Sequence, residues 1–245
     1  MNQAKTTADA NPVMERDWLA IVARYREPDV RRSVIEIIIT AIPFVVLWAA
    51  TWAALSVSYL LALLIAIPAG AMLVRLFLIQ HDCGHYAFFR TRKSNDWTGR
   101  VIGVVTMTPY EVWRRNHATH HANSGNLDAR GVGDIETWTV SEYMSKSRWQ
   151  RFLYRLYRNP VVMFGFGPSF VFMLQQRLPV GQMKGGWRPW SSAMMNNLSM
   201  AVLFGLLMWF VGVWEFLIVH LTIVAIASTI GVYLFYVQHQ FEDTF

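Results

Sequence analysis

The chain has 245 residues, of which 54% are hydrophobic and 16% charged, whereas soluble domains are about 45–50% apolar and about 25% charged. That balance excludes a soluble two-domain protein and a disordered chain, and the single cysteine excludes an intrachain disulfide and a Cys-rich zinc module. The net charge of +6 is no argument for nucleic-acid binding, because the composition leaves no soluble fold to present it.

In chain order, residues 1–33 are polar and mixed in charge, without the apolar run of a secretory signal. From Ile37 to Val74 there are 38 residues with no Asp, Glu, Lys or Arg. A bilayer core takes about 20 helical residues, so the run predicts two spans, near 34–55 and 58–80, turning at Ser56 and Ser58. A second such region, Pro189 to Gln238, holds one charge, Glu215, and predicts spans near 193–213 and 216–238. Soluble helices carry a polar stripe; these runs do not.

Between the hairpins lies a segment, 81–192, with two shorter apolar stretches, Val101–Val112 and Val161–Leu174. Their 12 and 14 residues suit interfacial or re-entrant pieces rather than crossings. Lys146–Arg158 interleaves five basic residues with Trp149, Phe152, Leu153, Tyr154, Leu156 and Tyr157, the pattern of a helix lying on lipid headgroups. All 22 Lys and Arg fall in residues 1–36, at Arg75 or in 81–188, and the two hairpin turns have none. Basic loops stay cytoplasmic, so both termini and the middle segment are expected on the cytoplasmic side. Trp48, Trp52, Trp209 and Trp214 then fall near the outer boundary, and Trp187 and Trp190 near the inner one. The expected fold is an all-α integral membrane protein: four transmembrane helices in two hairpins, with a cytoplasmic helical cap and interfacial helices.

Of 7 histidines, five lie between His81 and His121. His81 and His85 are i and i+4; His117, His120 and His121 are i, i+3 and i+4, so each set shares one helical face. Two such helices facing each other would bring five imidazoles to one volume. Imidazole clusters suit zinc, copper, iron or nickel, and five ligands exceed the need of one tetrahedral zinc, which points to two metals. His239, at the same end of the last span, is a candidate sixth ligand. His220 lies 19 residues away, roughly 28 Å along a helix, and cannot share that site. Asp82 is a candidate to orient a ligating histidine through its other ring nitrogen. Cys83 points off the His81 face and reads as packing, and Glu111, Trp113 and Asn116 are candidates to line the site.

His81-Asp82-Cys83-Gly84-His85 after a second apolar span, followed by His117-Ala118-Thr119-His120-His121, resembles the first two histidine boxes of membrane fatty acid desaturases. Pro109-Tyr110-Glu111-Val112-Trp113 and Tyr236-Val237-Gln238-His239-Gln240 look like the bacterial omega-6/delta-12 acyl-lipid branch. The resemblance implies two iron ions held by His81, His85, His117, His120, His121 and His239, with O2 as co-substrate and a cis double bond as product. It implies an acyl-lipid or acyl-thioester substrate, a ferredoxin or cytochrome b-type electron donor, and a bacterial inner membrane. The family also carries a third box, His-x-x-His-His, after the fourth helix, and this chain stops at Phe245, six residues beyond His239. The expectation is therefore a desaturase domain over 34–245, incomplete at its C-terminus, with an inactive fragment as an alternative. A hydroxylase or ketolase acting on alkanes, carotenoids or sphingolipids would share the boxes. A metal transporter needs ligands in mid-membrane, and these histidines sit at one boundary.

Overall fold

A computed structural model of the chain describes residues 18, 20–23, 27–124, 126–129 and 135–238. Among them there is no strand, and four helices are long and apolar enough to cross a membrane. They are α1 (Val30–Ala54), α2 (Tyr59–Gly84), α8 (Trp187–Val211) and α9 (Val213–Gln238). The molecule is an all-α membrane protein built on two helical hairpins.

Each helix end has a local cause. Asp29 caps α1, its carboxylate accepting from the Arg32 amide at 3.0 Å. The first hairpin turns through Leu55–Ser58, where the two serines are expected. The second is tighter: only Gly212, with φ +95°, separates α8 from α9. That conformation favours glycine, and it lets two spans reverse across a single residue. α8 begins at Trp187 rather than near 193, because Pro189 falls in its first turn, where the missing N–H has no intrahelical partner to lose.

α2 is the hub, packed against α1, α9 and α3 (Arg92–Val105). Its inward face is small: Ala62, Ala66, Ala69 and Gly70 are buried. A Cβ on Gly70 would lie 2.7 Å from Ile226 Cγ2 of α9. Close approach of small residues is how membrane helices gain contact when water does not drive them together. Arg75, in the second half of α2, pairs with Glu36 of α1 at 2.6 Å, the expected fate of a charge in a span. The outward faces of α1 and α8 stay apolar and exposed, among them Ile42, Val45, Val46, Trp209 and Phe210, as a lipid-facing surface must be.

The segment joining the end of α2 to the start of α8 holds the remaining elements. α3 and α4 (Tyr110–Asn123) come first, then α5 (Val140–Ser145), α6 (Arg148–Tyr157) and α7 (Gly167–Met173). The apolar stretch 101–112 is broken by the turn between α3 and α4. The stretch 161–174 forms a wide turn, Val162–Phe166, leading into α7. Phe166, Phe170 and Leu174 are exposed at four-residue spacing, one stripe along a helical face. The basic amphipathic helix is α6, opened by a reciprocal cap between Ser147 and Gln150. Trp149, Phe152, Leu153 and Leu156 form its exposed apolar stripe.

The α3–α4 turn is closely packed. A Cβ on Gly103 would stand 2.5 Å from the Thr108 carbonyl oxygen, a backbone atom. Gly103→Ala is expected to destabilise the protein by about 1–3 kcal/mol through overpacking. Thermal unfolding in detergent reads this directly, and an unchanged midpoint would count against the close approach.

Candidate metal centre

α2 carries His81 in its last turn and ends on His85, which caps it. α4 carries His117, His120 and His121. The structure brings four of these to one point. His85 Nε2 lies 3.3 Å from His81 Nε2 and 3.0 Å from His117 Nε2, and His121 Nε2 lies 3.0 Å from His117 Nε2. One ligand nitrogen from each of the four falls within 4.8 Å of the others. Imidazole nitrogens converging this way suit a cation at their centre, and the donor set fits an imidazole-preferring transition metal.

His120 is not one of the four whose ring nitrogens converge, although its ring lies 5.6 Å from that of His121 and 6.1 Å from that of His117. It is 2% exposed and turns toward α9, with its ring 5.2 Å from that of Phe235. The i+3 position lies about 60° round the helix from i, enough to send His120 to a different neighbour from His117 and His121. His239 lies outside the described residues. His220 packs between Phe204 and Phe216.

Surrounding residues orient the four. Asp82 Oδ1 lies 3.2 Å from His81 Nδ1, so a proton on Nδ1 leaves Nε2 free as a donor to metal. Trp113 stacks on the His117 ring at 4.6 Å and 16° and lies edge-on to Phe77 at 5.3 Å. Trp113 closes so tightly over α2 that a Cβ on Gly84 would meet it at 2.8 Å. Glu111 and Asn116 face elsewhere: Glu111 binds Arg100 and Ser192, and Asn116 donates to the Val180 carbonyl.

Two residues that spacing did not single out hold the helices in register. The Tyr110 hydroxyl donates to the Cys83 carbonyl at 2.8 Å, clamping the start of α4 to the last turn of α2. Gln80, fully buried beside His81, accepts from Thr106 Oγ1 at 2.7 Å and donates to the Thr108 carbonyl at 3.3 Å. Both carried a signal. Tyr110 is seven residues before His117, on the same helical face, and Gln80 is a polar residue in an apolar span. From the other side, Gln182 donates to Asn116 and to the Val112 carbonyl, fixing the back of α4. Cys83 itself is buried in the core, as its packing role requires.

Burial holds the His117 imidazole down at about 3, with the neighbouring histidines adding to the effect. His85 is lowered in the same way, burial first and His81 next, against an opposing pull from Asp82. Both are therefore neutral, and available as ligands, at neutral pH. The unfolded chain protonates His117 near its ordinary 6.5, so the unfolded state binds more protons in this window. Stability of the metal-free protein is complete above about pH 6.5 and falls as pH drops toward about 3. Unfolding temperatures of the chelator-treated protein between these limits are expected to fall with pH, with a shallower slope in His117→Gln. An identical slope in the variant would contradict the assignment.

A multi-pass helical membrane protein with a four-imidazole cluster at the end of one span is the class that this fold and site define. Residues 50–245 match the family described as Fatty acid desaturase, and the chain belongs to that family. It is 42% identical over 225 residues to a Fatty acid desaturase of Bacillus subtilis, covering 91% of this chain and 63% of the relative. It is 34% identical over 105 residues to an sn-1 acyl-lipid omega-3 desaturase (ferredoxin) of Synechocystis sp., covering 41% of this chain and 28% of that one. It is 30% identical over 90 residues to an sn-1 oleoyl-lipid 12-desaturase of Arthrospira platensis, covering 37% and 25%. The chain thus spans less than two thirds of the length of these relatives. No solved structure matches it.

Proposed function

We propose that the protein works as an O2-dependent desaturase of lipid acyl chains, with iron held by its histidines. The observation that carries this reading is the convergence of His81, His85, His117 and His121 at the end of a membrane span. Iron held there would activate O2, the oxidant that removes two hydrogens from an unactivated CH2–CH2 pair.

The residues around the cluster serve that chemistry. His81, His85, His117 and His121 hold one metal. His120, which faces the last turns of α9, and His239, the residue that follows α9 in sequence, are assigned to a second. Asp82 sets the His81 tautomer. Trp113 and Phe77 give the site an apolar wall, which excludes water and lets a lipid tail approach without leaving apolar surroundings. Tyr110 and Gln80 hold α2 and α4 at the separation that the ligands require. The cluster faces the cytoplasm, on the distribution of Lys and Arg, where a ferredoxin or cytochrome b-type protein delivers electrons.

Expression in a host lacking such an enzyme, followed by mass spectrometry of its acyl chains, tests the reading. A new cis double bond is the expected product. A new hydroxyl with no double bond would overturn desaturation.

A further inference from the structure

A cavity of about 500 Å³ lies between α3, α4 and the first turns of α8, and none of the histidines lines it. Arg100, Arg115 and Arg188 line it together with one carboxylate, Glu111. Glu111 is already committed, paired with Arg100 and accepting from Ser192 Oγ at 2.8 Å. Arg115 and Arg188 have no carboxylate partner among the described residues. Ser191 lines the cavity as well. The first turn of α8 has neither an acidic residue nor a side-chain cap, so its positive dipole end adds to the field. Trp97, Val101 and Met195, all well exposed, give the cavity apolar lining. Two surplus cations, Arg188 in the first turn of a membrane span and Arg115 on α4, therefore share the cavity with apolar side chains.

We propose that this cavity binds the phosphate of an anionic glycerophospholipid, with Arg115 and Arg188 on the phosphate oxygens and one acyl chain along Trp97, Val101 and Met195. Guanidinium forks match phosphate geometry, and the start of a span lies at the depth of lipid phosphates. A soluble anion would use the arginines and leave the apolar lining idle. The site rests on α8 spanning the membrane and not on the reaction proposed above, so binding and acyl products are read separately.

The test measures binding to the full chain, purified in detergent, by native mass spectrometry and calorimetry. The probes are dioctanoyl phosphatidylglycerol, the uncharged dioctanoylglycerol and inorganic phosphate. Wild type is expected to bind one phosphatidylglycerol. The double variant R115Q/R188Q should bind it at least about tenfold more weakly, since each charge-assisted hydrogen bond accounts for about that factor. R115K/R188K should recover part of the loss. M195W, which adds bulk to the apolar lining at an exposed position, should weaken the lipid and leave inorganic phosphate unchanged. This second variant keeps both arginines, so a failure of the double variant to fold does not block the test. Unchanged lipid affinity in R115Q/R188Q would overturn the proposal, as would equal competition by dioctanoylglycerol. If inorganic phosphate binds as tightly as the lipid, the site is a free-anion site and the lipid assignment fails.

Discussion

Alanine in place of His85 is expected to weaken iron binding at the four-histidine cluster by at least about a hundredfold while the protein stays folded. His85 Nε2 links the two helices, 3.3 Å from His81 on α2 and 3.0 Å from His117 on α4, so its loss opens the cluster between them. Loss of an outer partner of a metal ligand typically costs about 10–100-fold in affinity, and loss of a ligand exceeds that. Asp82→Asn serves as the graded comparison. It keeps the shape but weakens the hold on His81 Nδ1, and should fall in the 10–100-fold range. Folding survives in His85→Ala because the helix clamps, Tyr110 to Cys83 and Gln80 to Thr108, do not involve the imidazole. Iron by elemental analysis and unfolding temperature are measured on the same preparations. Normal iron in His85→Ala would remove it from the ligand set, and a collapsed fold would show that the histidine is structural.

The second large effect concerns Arg177, which lies far from the histidines in sequence. Its guanidinium donates to Asn197 Oδ1 at 2.9 Å and to the carbonyls of Met107 and Phe172, while Asn197 donates back to the Arg177 carbonyl at 2.8 Å. One side chain thus ties the segment after α7 to α8 and to the α3–α4 turn. Burial pulls Arg177 down to about 10, which leaves it cationic at neutral pH. Met107, one of its acceptors, has φ +57°, a conformation that costs energy in a residue with a side chain and that turns its carbonyl toward the guanidinium. Arg177→Met is expected to destabilise the protein by about 2–4 kcal/mol, since it leaves buried acceptors without a charged donor. Because Met107 leads directly into α4, iron occupancy should fall as well. Arg177→Lys should not restore either, because an ammonium cannot reproduce the fork. A variant with wild-type unfolding temperature would show that the staple carries no net stability.

The sequence alone determined the architecture. Charge-free runs of this length have one solution in a bilayer, since each backbone polar group must be satisfied within its own helix, and all four expected spans are present as helices. It also determined the sharing of faces within each helix: His81 with His85, and His117 with His121, follow from 3.6 residues per turn. The family was legible in the same residues. The tertiary structure decided what meets across helices. Whether five imidazoles or four converge depends on how α2 and α4 are rotated and spaced, and that is set by long-range contacts with no periodicity to read. Tyr110 reaching Cys83, Gln80 reaching the α3–α4 turn and Trp113 lying over Gly84 are such contacts. With α4 held in that rotation, His120 looks toward α9, and Glu111 and Arg115 turn to a separate cavity against α8. Composition and charge could place that segment at the membrane surface. Only the packed helices show that Arg100, Arg115 and Arg188 line one cavity with apolar side chains, because a side chain's neighbours across a helix boundary are chosen by the fold rather than by its place in the chain.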